Sequence, residues 1–352
     1  MRPLSVLLVG TAFLLGGVLM GPRQSGQAAA SRSPDGEYPY GSPTFTRFVQ
    51  DSYQDGGLRS GSEFYPWFES AYSACIEKDP GRPGLGLREV LDENRRSLAA
   101  IDDQSRRARE EERLGAWLHR MVKATIPRFS LERGFEFRNA VRLGERQCFL
   151  QSVLIAGLLQ AMGMDAGVAM VSRNHNGRPT NNGHAATVLH LADGTDRIVD
   201  ASEKTPFARQ MGLFLCDPQG YCYVTPAYPG AEVRIPSYQR LRARDSVNPA
   251  TIRPLDVAFL RSQFDYYRGE RTPGGIMGTP PTSAGLAKSE EYFRRSIKLC
   301  PSNPLAVYQL GRVLLRQKKT PEARRQFTTA VRLYQQAGWV PDGPRSALQN
   351  AG

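Results

Sequence analysis

The sequence predicts an α+β protein. Phe149 to Met162 is apolar on nearly every side, with Gln151, Ser152 and Gln160 the main exceptions, and strand-like segments follow it. A helix that is hydrophobic all round belongs in the middle of a domain, and one core helix followed by strands is the pattern of a mixed domain. The third observation is that amphipathic helical patterns flank this core on both sides. With 352 residues, 40% hydrophobic and 23% charged, the chain is long enough to bury a sizeable core and has room for two domains or one with appendages.

From the N-terminus, Arg2 precedes an apolar run from Leu4 to Met20, which ends at Gly21-Pro22 and is followed by Ala28-Ala29-Ala30. Residues 1–30 therefore read as a secretory signal, with an uncleaved membrane anchor as the alternative. Either one places the remaining chain outside the cytoplasm, secreted, periplasmic or anchored in the cell envelope. Residues 31–83 are rich in Gly, Ser and Pro at first and then aromatic without a clear period, and read as a flexible or irregular segment.

The net charge is +12, from 46 Lys and Arg against 34 Asp and Glu. Spread over the chain rather than packed into one basic run, this excess argues against dedicated nucleic-acid binding. A basic exported protein would dwell near anionic lipid or cell-wall polymer; an ordinary solvated surface is the alternative. Membrane association otherwise depends on an uncleaved N-terminus.

The helical pattern begins at Leu87, Val90, Leu91, Leu98 and Ile101 and resumes at Leu114, Trp117, Leu118 and Met121, across a charged span, "DDQSRRAREEER", that reads as a solvated helix or junction. Gly163 stops the core helix. "AGVAMV", "HAATVLHL", "DRIVDA" and "YCYVTPAY" read as strands, with "NHNGRPTNNG" a polar loop between the first two. Together these give a domain over 84–238. Residues 239–285 read as a helix and a Pro/Gly-rich linker, 286–338 as amphipathic helices and 339–352 as a tail.

Cys148 stands between the polar "GERQ" and the apolar helix, so its sulfur sits at a helix start, where unpaired N–H groups and the helix dipole favour a thiolate. A nucleophilic thiol next needs an imidazole, and the imidazole an orienting acceptor. Of the four histidines, His119 precedes the site in an amphipathic helix and His175 lies in the polar loop. His184 and His190 share a strand but stand about 20 Å apart along it, so one of them reaches Cys148; His184, at the strand start, is the better placed. A three-residue turn, Ala192-Asp193-Gly194 with Gly194 left-handed, would set Asp200 opposite Ala186 and diagonal to His184. A two-residue turn would set it opposite Thr187, facing away.

Cys148, His184 and Asp200, in that order and on those elements, resemble the catalytic residues of the bacterial transglutaminase-like (papain-like) domains. "FRNAVRLGERQCFLQSVLIAGLLQAMGMDAGVAMV" is similar to that family's Gly-x-Cys segment and "GHAATVLHLADGTDRIVDA" to its His-Ala…Asp-Pro segment. The resemblance covers about Leu114 to Ala201. The chain departs from the pattern at Ala186, where Trp is usual, at Val188 and Ala201, where Glu and Pro are common, and at Arg146 and Gln147 before the thiol. The resemblance implies an exported Cys-dependent peptidase, amidase or transglutaminase, acting on protein, peptide or cell-wall substrates without cofactor or metal. A non-catalytic scaffold of the same fold is the alternative.

The C-terminal helices resemble a tetratricopeptide repeat in Leu310-Gly311, Ala323, Phe327 and Ala330, which implies packing on the core domain, on a second copy or on a protein partner. Two further sites follow from residue types alone. Cys216 and Cys222 flank the turn "DPQGY", which allows a disulfide across a hairpin. The same two cysteines with His184 or His190 would make a zinc site, without the tight ligand spacing such sites use.

Overall fold

In the computed structural model, which describes residues 36–75 and 84–350, the chain opens with two helices, α1 (Pro43–Asp55) and α2 (Phe64–Ala74). The expected irregular segment is therefore largely helical. Its Gly-Ser-Pro residues are a helix-start signal: the Ser42 hydroxyl accepts from the Phe45 N–H, and Pro43 occupies the first turn. Its aromatics are core, with Phe45, Phe48, Tyr53, Phe64 and Phe68 fully or almost fully buried. Residues 1–35, read as signal or anchor, lie outside the described residues. Among the described residues no helix is long and apolar enough to cross a membrane.

α3 (Leu87–Ala99) and α4 (Gln104–Thr125) follow, the latter started by the Asp103 carboxylate accepting from the Arg106 N–H at 2.6 Å. β1 (Arg128–Phe129) and β2 (Glu145–Arg146) pair in parallel around α5 (Phe137–Leu143). β2 delivers the chain into α6 (Cys148–Ala161), which is buried from Cys148 through Gln160. A fully apolar helix needs neighbours on every side, and α6 has them. The chain around Tyr38 and Tyr40 crosses it at Gly157, where a Cβ would meet the Phe45 ring at 2.7 Å; only glycine admits this approach, and the Tyr40 N–H donates to the Gly157 carbonyl at 2.8 Å.

The sheet is seven-stranded, antiparallel and curled. Its strands are β3 (Asp165–Arg173), β4 (Pro179–His190), β5 (Asp196–Val199), β6 (Gly212–Asp217), β7 (Gly220–Ala227), β8 (Ser237–Arg240) and β9 (Ser246–Val247), in the order β5-β4-β3-β6-β7-β8-β9. Helix α6 packs on β3 and β4, and Thr187 donates from the sheet to the Ser152 carbonyl. On the other face a smaller core gathers Val171, Val188, Ile198, Leu215, Val224 and Tyr238. The polar loop expected before His184 shortens, because β4 already begins at Pro179.

Past the sheet, α7 (Val257–Glu270) is a helix within 239–285 and part of the core: Phe264 packs edge-on to Phe149 at 4.8 Å between ring centres. α8 (Ser283–Leu299), α9 (Pro304–Arg316) and α10 (Thr320–Ala337) form an antiparallel array, and α11 (Asp342–Asn350) lies within the expected tail. Ala323, Phe327 and Ala330 are buried against α9, where a Cβ on Gly311 would strike the Phe327 ring. The array packs on the sheet through Tyr223, whose ring stacks on Tyr334 and meets Trp339 edge-on. All described residues belong to one compact unit.

Candidate active site

Cys148 is the first residue of α6, and Gln147 before it is extended, with no side chain capping the helix. The helix start is therefore left to face its neighbours with unpaired N–H groups. Two residues upstream, Arg146 is buried. It donates through Nε to Gln151 Oε1 at 2.7 Å and through Nη1 to the Ile126 carbonyl at 2.6 Å, and among the described residues it has no carboxylate partner. Burial lowers its pKa. The guanidinium adds positive potential at the helix start.

The hairpin of β4 and β5 supplies the other two groups. Thr187 pairs with Val199 and His190 with Asp196, a register that sets Asp200 opposite Ala186. The turn has the three-residue form: the Leu191 N–H donates to the Thr195 carbonyl, the Gly194 N–H to the Leu191 carbonyl, and Gly194 takes φ +83°. His184 and Asp200 are thus diagonal neighbours, and His184 Nε2 lies 2.6 Å from Asp200 Oδ2. With Nε2 engaged by the acid, Nδ1 is left for the ring's other polar neighbour, the Cys148 thiol. The structure brings Cys148, His184 and Asp200 together.

Burial by itself drives the His184 imidazolium to shed its proton. The hydrogen bonds to Asp200 and Cys148, and the charges of both, outweigh that and raise the group to about 11. Asp200 is fully buried. Burial opposes its charge, but His184, the Ser202 N–H and the Gln210 amide hold it below the ordinary carboxylate range. Both directions describe one ion pair, with a protonated imidazole held between a carboxylate and a thiol.

Sequence reasoning missed the residues that hold this pair in place. Gln210 donates to Asp200 Oδ2 at 2.8 Å from the segment before β6, a long-range contact with no local signal. His119 is more than a histidine of an upstream helix. Its Nε2 lies 3.2 Å from the Glu203 carbonyl, to which Lys123 also donates at 2.7 Å, so α4 grips the loop that follows Asp200. Burial, then the charge of Lys123, lowers the pKa of His119. The charged span of α4 also has a structural task. Glu111 accepts from the Ala192 N–H at 2.7 Å and Glu112 from Arg197 at 2.6 Å, which clamps the hairpin turn.

From α7, Tyr267 sets its ring 5.5 Å from Phe149 and brings its phenol near Cys148; burial first, and then the electrostatic influence of Cys148, push that phenol far above its usual range. Both amide atoms of the Gln147 side chain are buried without a hydrogen-bond partner. Such groups are uncommon in a finished core, and this one stands immediately before the thiol.

The remaining candidates read from residue types separate. Cys216 pairs with Tyr221 and Leu215 with Cys222, so alternation sends the two cysteines to opposite faces of the sheet, and both are free thiols. The hairpin disulfide does not form, and Cys216 and Cys222 lie two and three strands from β4, which also separates them from His184 and His190 as a zinc set. Among the described residues no group of His, Cys, Asp and Glu is placed to hold a metal ion.

No family model, no curated protein and no solved structure matches this chain.

Proposed function

We propose that this chain is a thiol-dependent acyl-transfer enzyme of the transglutaminase-like type, exported from the cytoplasm and acting on peptide or carboxamide bonds of protein or cell-wall substrates. The observation that carries the reading is the meeting of a helix-start cysteine with a histidine that is itself fixed by a buried aspartate. The thiolate of Cys148 adds to the substrate carbonyl carbon, with the Cys148 N–H facing the developing oxyanion. Collapse of the adduct breaks the C–N bond, and the leaving amine takes its proton from His184 while Asp200 holds the ring in orientation. The thioester then passes its acyl group to water or to an amine. Export rests on residues 1–30, outside the described residues. The C-terminal helices bury their repeat-like residues on α9 and the sheet, which supports a role in the domain itself.

Iodoacetamide tests the nucleophile, because alkylation reports thiolate reactivity without a substrate. Burial pushes the thiols of Cys216, Cys222 and Cys300 up, and Cys75 is a half-buried free thiol, so the fast label is expected on Cys148, ahead of Cys75 and of free glutathione at neutral pH, and that fast phase is absent from Cys148→Ala. A Cys148 that reacts no faster than glutathione rejects the enzyme reading.

A further inference from the structure

The net charge is not evenly spread. Residues 283–350 hold twelve basic and four acidic side chains, a net of +8, whereas 36–282 hold 31 basic and 29 acidic. Two thirds of the chain's +12 thus sits on the C-terminal helices, against the even spread that the lack of any long basic run suggests. Charge asymmetry between parts of a chain signals a partner of opposite charge.

Within that array the charge concentrates at the tip where α9 turns into α10. Arg316, Lys318, Arg324 and Arg325 are exposed there, and none of the four has a carboxylate partner among the described residues. Other cations close to the array or the core are paired. Lys319 is held by Glu290 at 3.1 Å, Arg268 by Glu136, and Arg242 by Asp217. Leu315, 42% exposed, stands in the same turn and is one of four large apolar side chains left exposed among the described residues. The α10 helix meets the sheet through Tyr334, about 15 Å along its axis from Arg324. The tip is therefore set back from the sheet, while Lys319 ties it to Glu290 of α8.

We infer that this tip is a docking surface for an anionic lipid bilayer. Unpaired cations around an exposed leucine match phosphate headgroups over an apolar layer, in which each basic side chain strengthens binding about fivefold at low salt and the leucine gains from partial insertion. Nucleic acid offers the same charge but nothing for Leu315. The inference does not depend on the chemistry of Cys148.

The test is flotation of the full chain with vesicles of pure phosphatidylcholine and of phosphatidylcholine carrying phosphatidylglycerol, in 0.1 M and 0.5 M salt. The difference between the two lipids removes any contribution of the N-terminal apolar run. Tighter binding to the anionic vesicles, abolished at high salt, is expected. The combined variant Arg316→Gln, Lys318→Gln, Arg324→Gln, Arg325→Gln should lose on the order of 600-fold of that preference, with an unchanged melting temperature because all four side chains are exposed. Leu315→Ser should weaken vesicle binding and leave binding to a 20-base-pair DNA duplex unchanged. A lipid preference that survives in the fourfold variant overturns the inference. So does a chain that binds the duplex more tightly than the anionic vesicles.

Discussion

One hairpin carries two histidine–aspartate pairs, and their difference shows what makes a pair useful. His190 stands directly opposite Asp196 and meets it through Nδ1 at 2.6 Å, with the Tyr238 hydroxyl on the acid's other oxygen. His184 is diagonal to Asp200 and meets it through Nε2, also at 2.6 Å. A direct cross-strand partner is close enough for the near ring nitrogen. A diagonal one is reached with the far nitrogen, which turns the near one outward toward the next element. At His184 that element is the start of α6. The same two residue types at the same distance thus give one pair that ties strands together and one that presents a proton to a thiol.

The sharpest way to break this comparison is to remove each histidine in turn. His184→Gln is expected to lower thiol-dependent amide turnover by 10³-fold or more, while His190→Gln leaves it within about threefold; comparable losses in both variants would erase the distinction. Removal of the acid comes next. Asp200→Ala leaves a buried imidazolium without its partner and should destabilise the protein by about 3–5 kcal/mol in urea titrations.

The pH dependence follows from the pair's charges. The His184 pKa is raised from 6.5 to about 11, so its stabilising contribution is complete below 6.5 and is lost as pH rises toward 11. The pKa of Asp200 is lowered, so its contribution is present above the ordinary carboxylate value and is lost in acid. The gap in melting temperature between the wild type and His184→Gln should therefore be widest near pH 5–6 and close on the alkaline side. A gap that widens with pH would reverse the assigned charge state. The smallest effect belongs to the turn. Gly194→Ala, at φ +83°, should cost about 1 kcal/mol and leave the hairpin register in place.

Much of the candidate site was legible because it is built from local signals. A polar turn before an apolar run fixes a helix start at Cys148, and each of the two turn lengths open to the hairpin fixes a register through the period of two; the fold selects the three-residue turn, and with it the diagonal His184–Asp200 placement and the left-handed Gly194. The misreadings share a cause as well. Aromatic residues at 38–72 lack a helical period because they pack against several elements at once rather than along one face, and Gly, Ser and Pro mark a helix cap as readily as a loop. The two cysteines flanking "DPQGY" pass for hairpin partners until the two-residue turn sets their parity.

By itself, then, the sequence determined the α+β class, the central helix and the order of Cys148, His184 and Asp200 on their elements, since each depends on periodicity and turn chemistry within about twenty residues. Only the tertiary structure decided that α7 brings Tyr267 to the thiol, that Gln210 and α4 grip the aspartate and its loop, and that Arg146 is buried without an acid. These are contacts between segments far apart in the chain. Their partners are chosen by packing around α6, which no local pattern records.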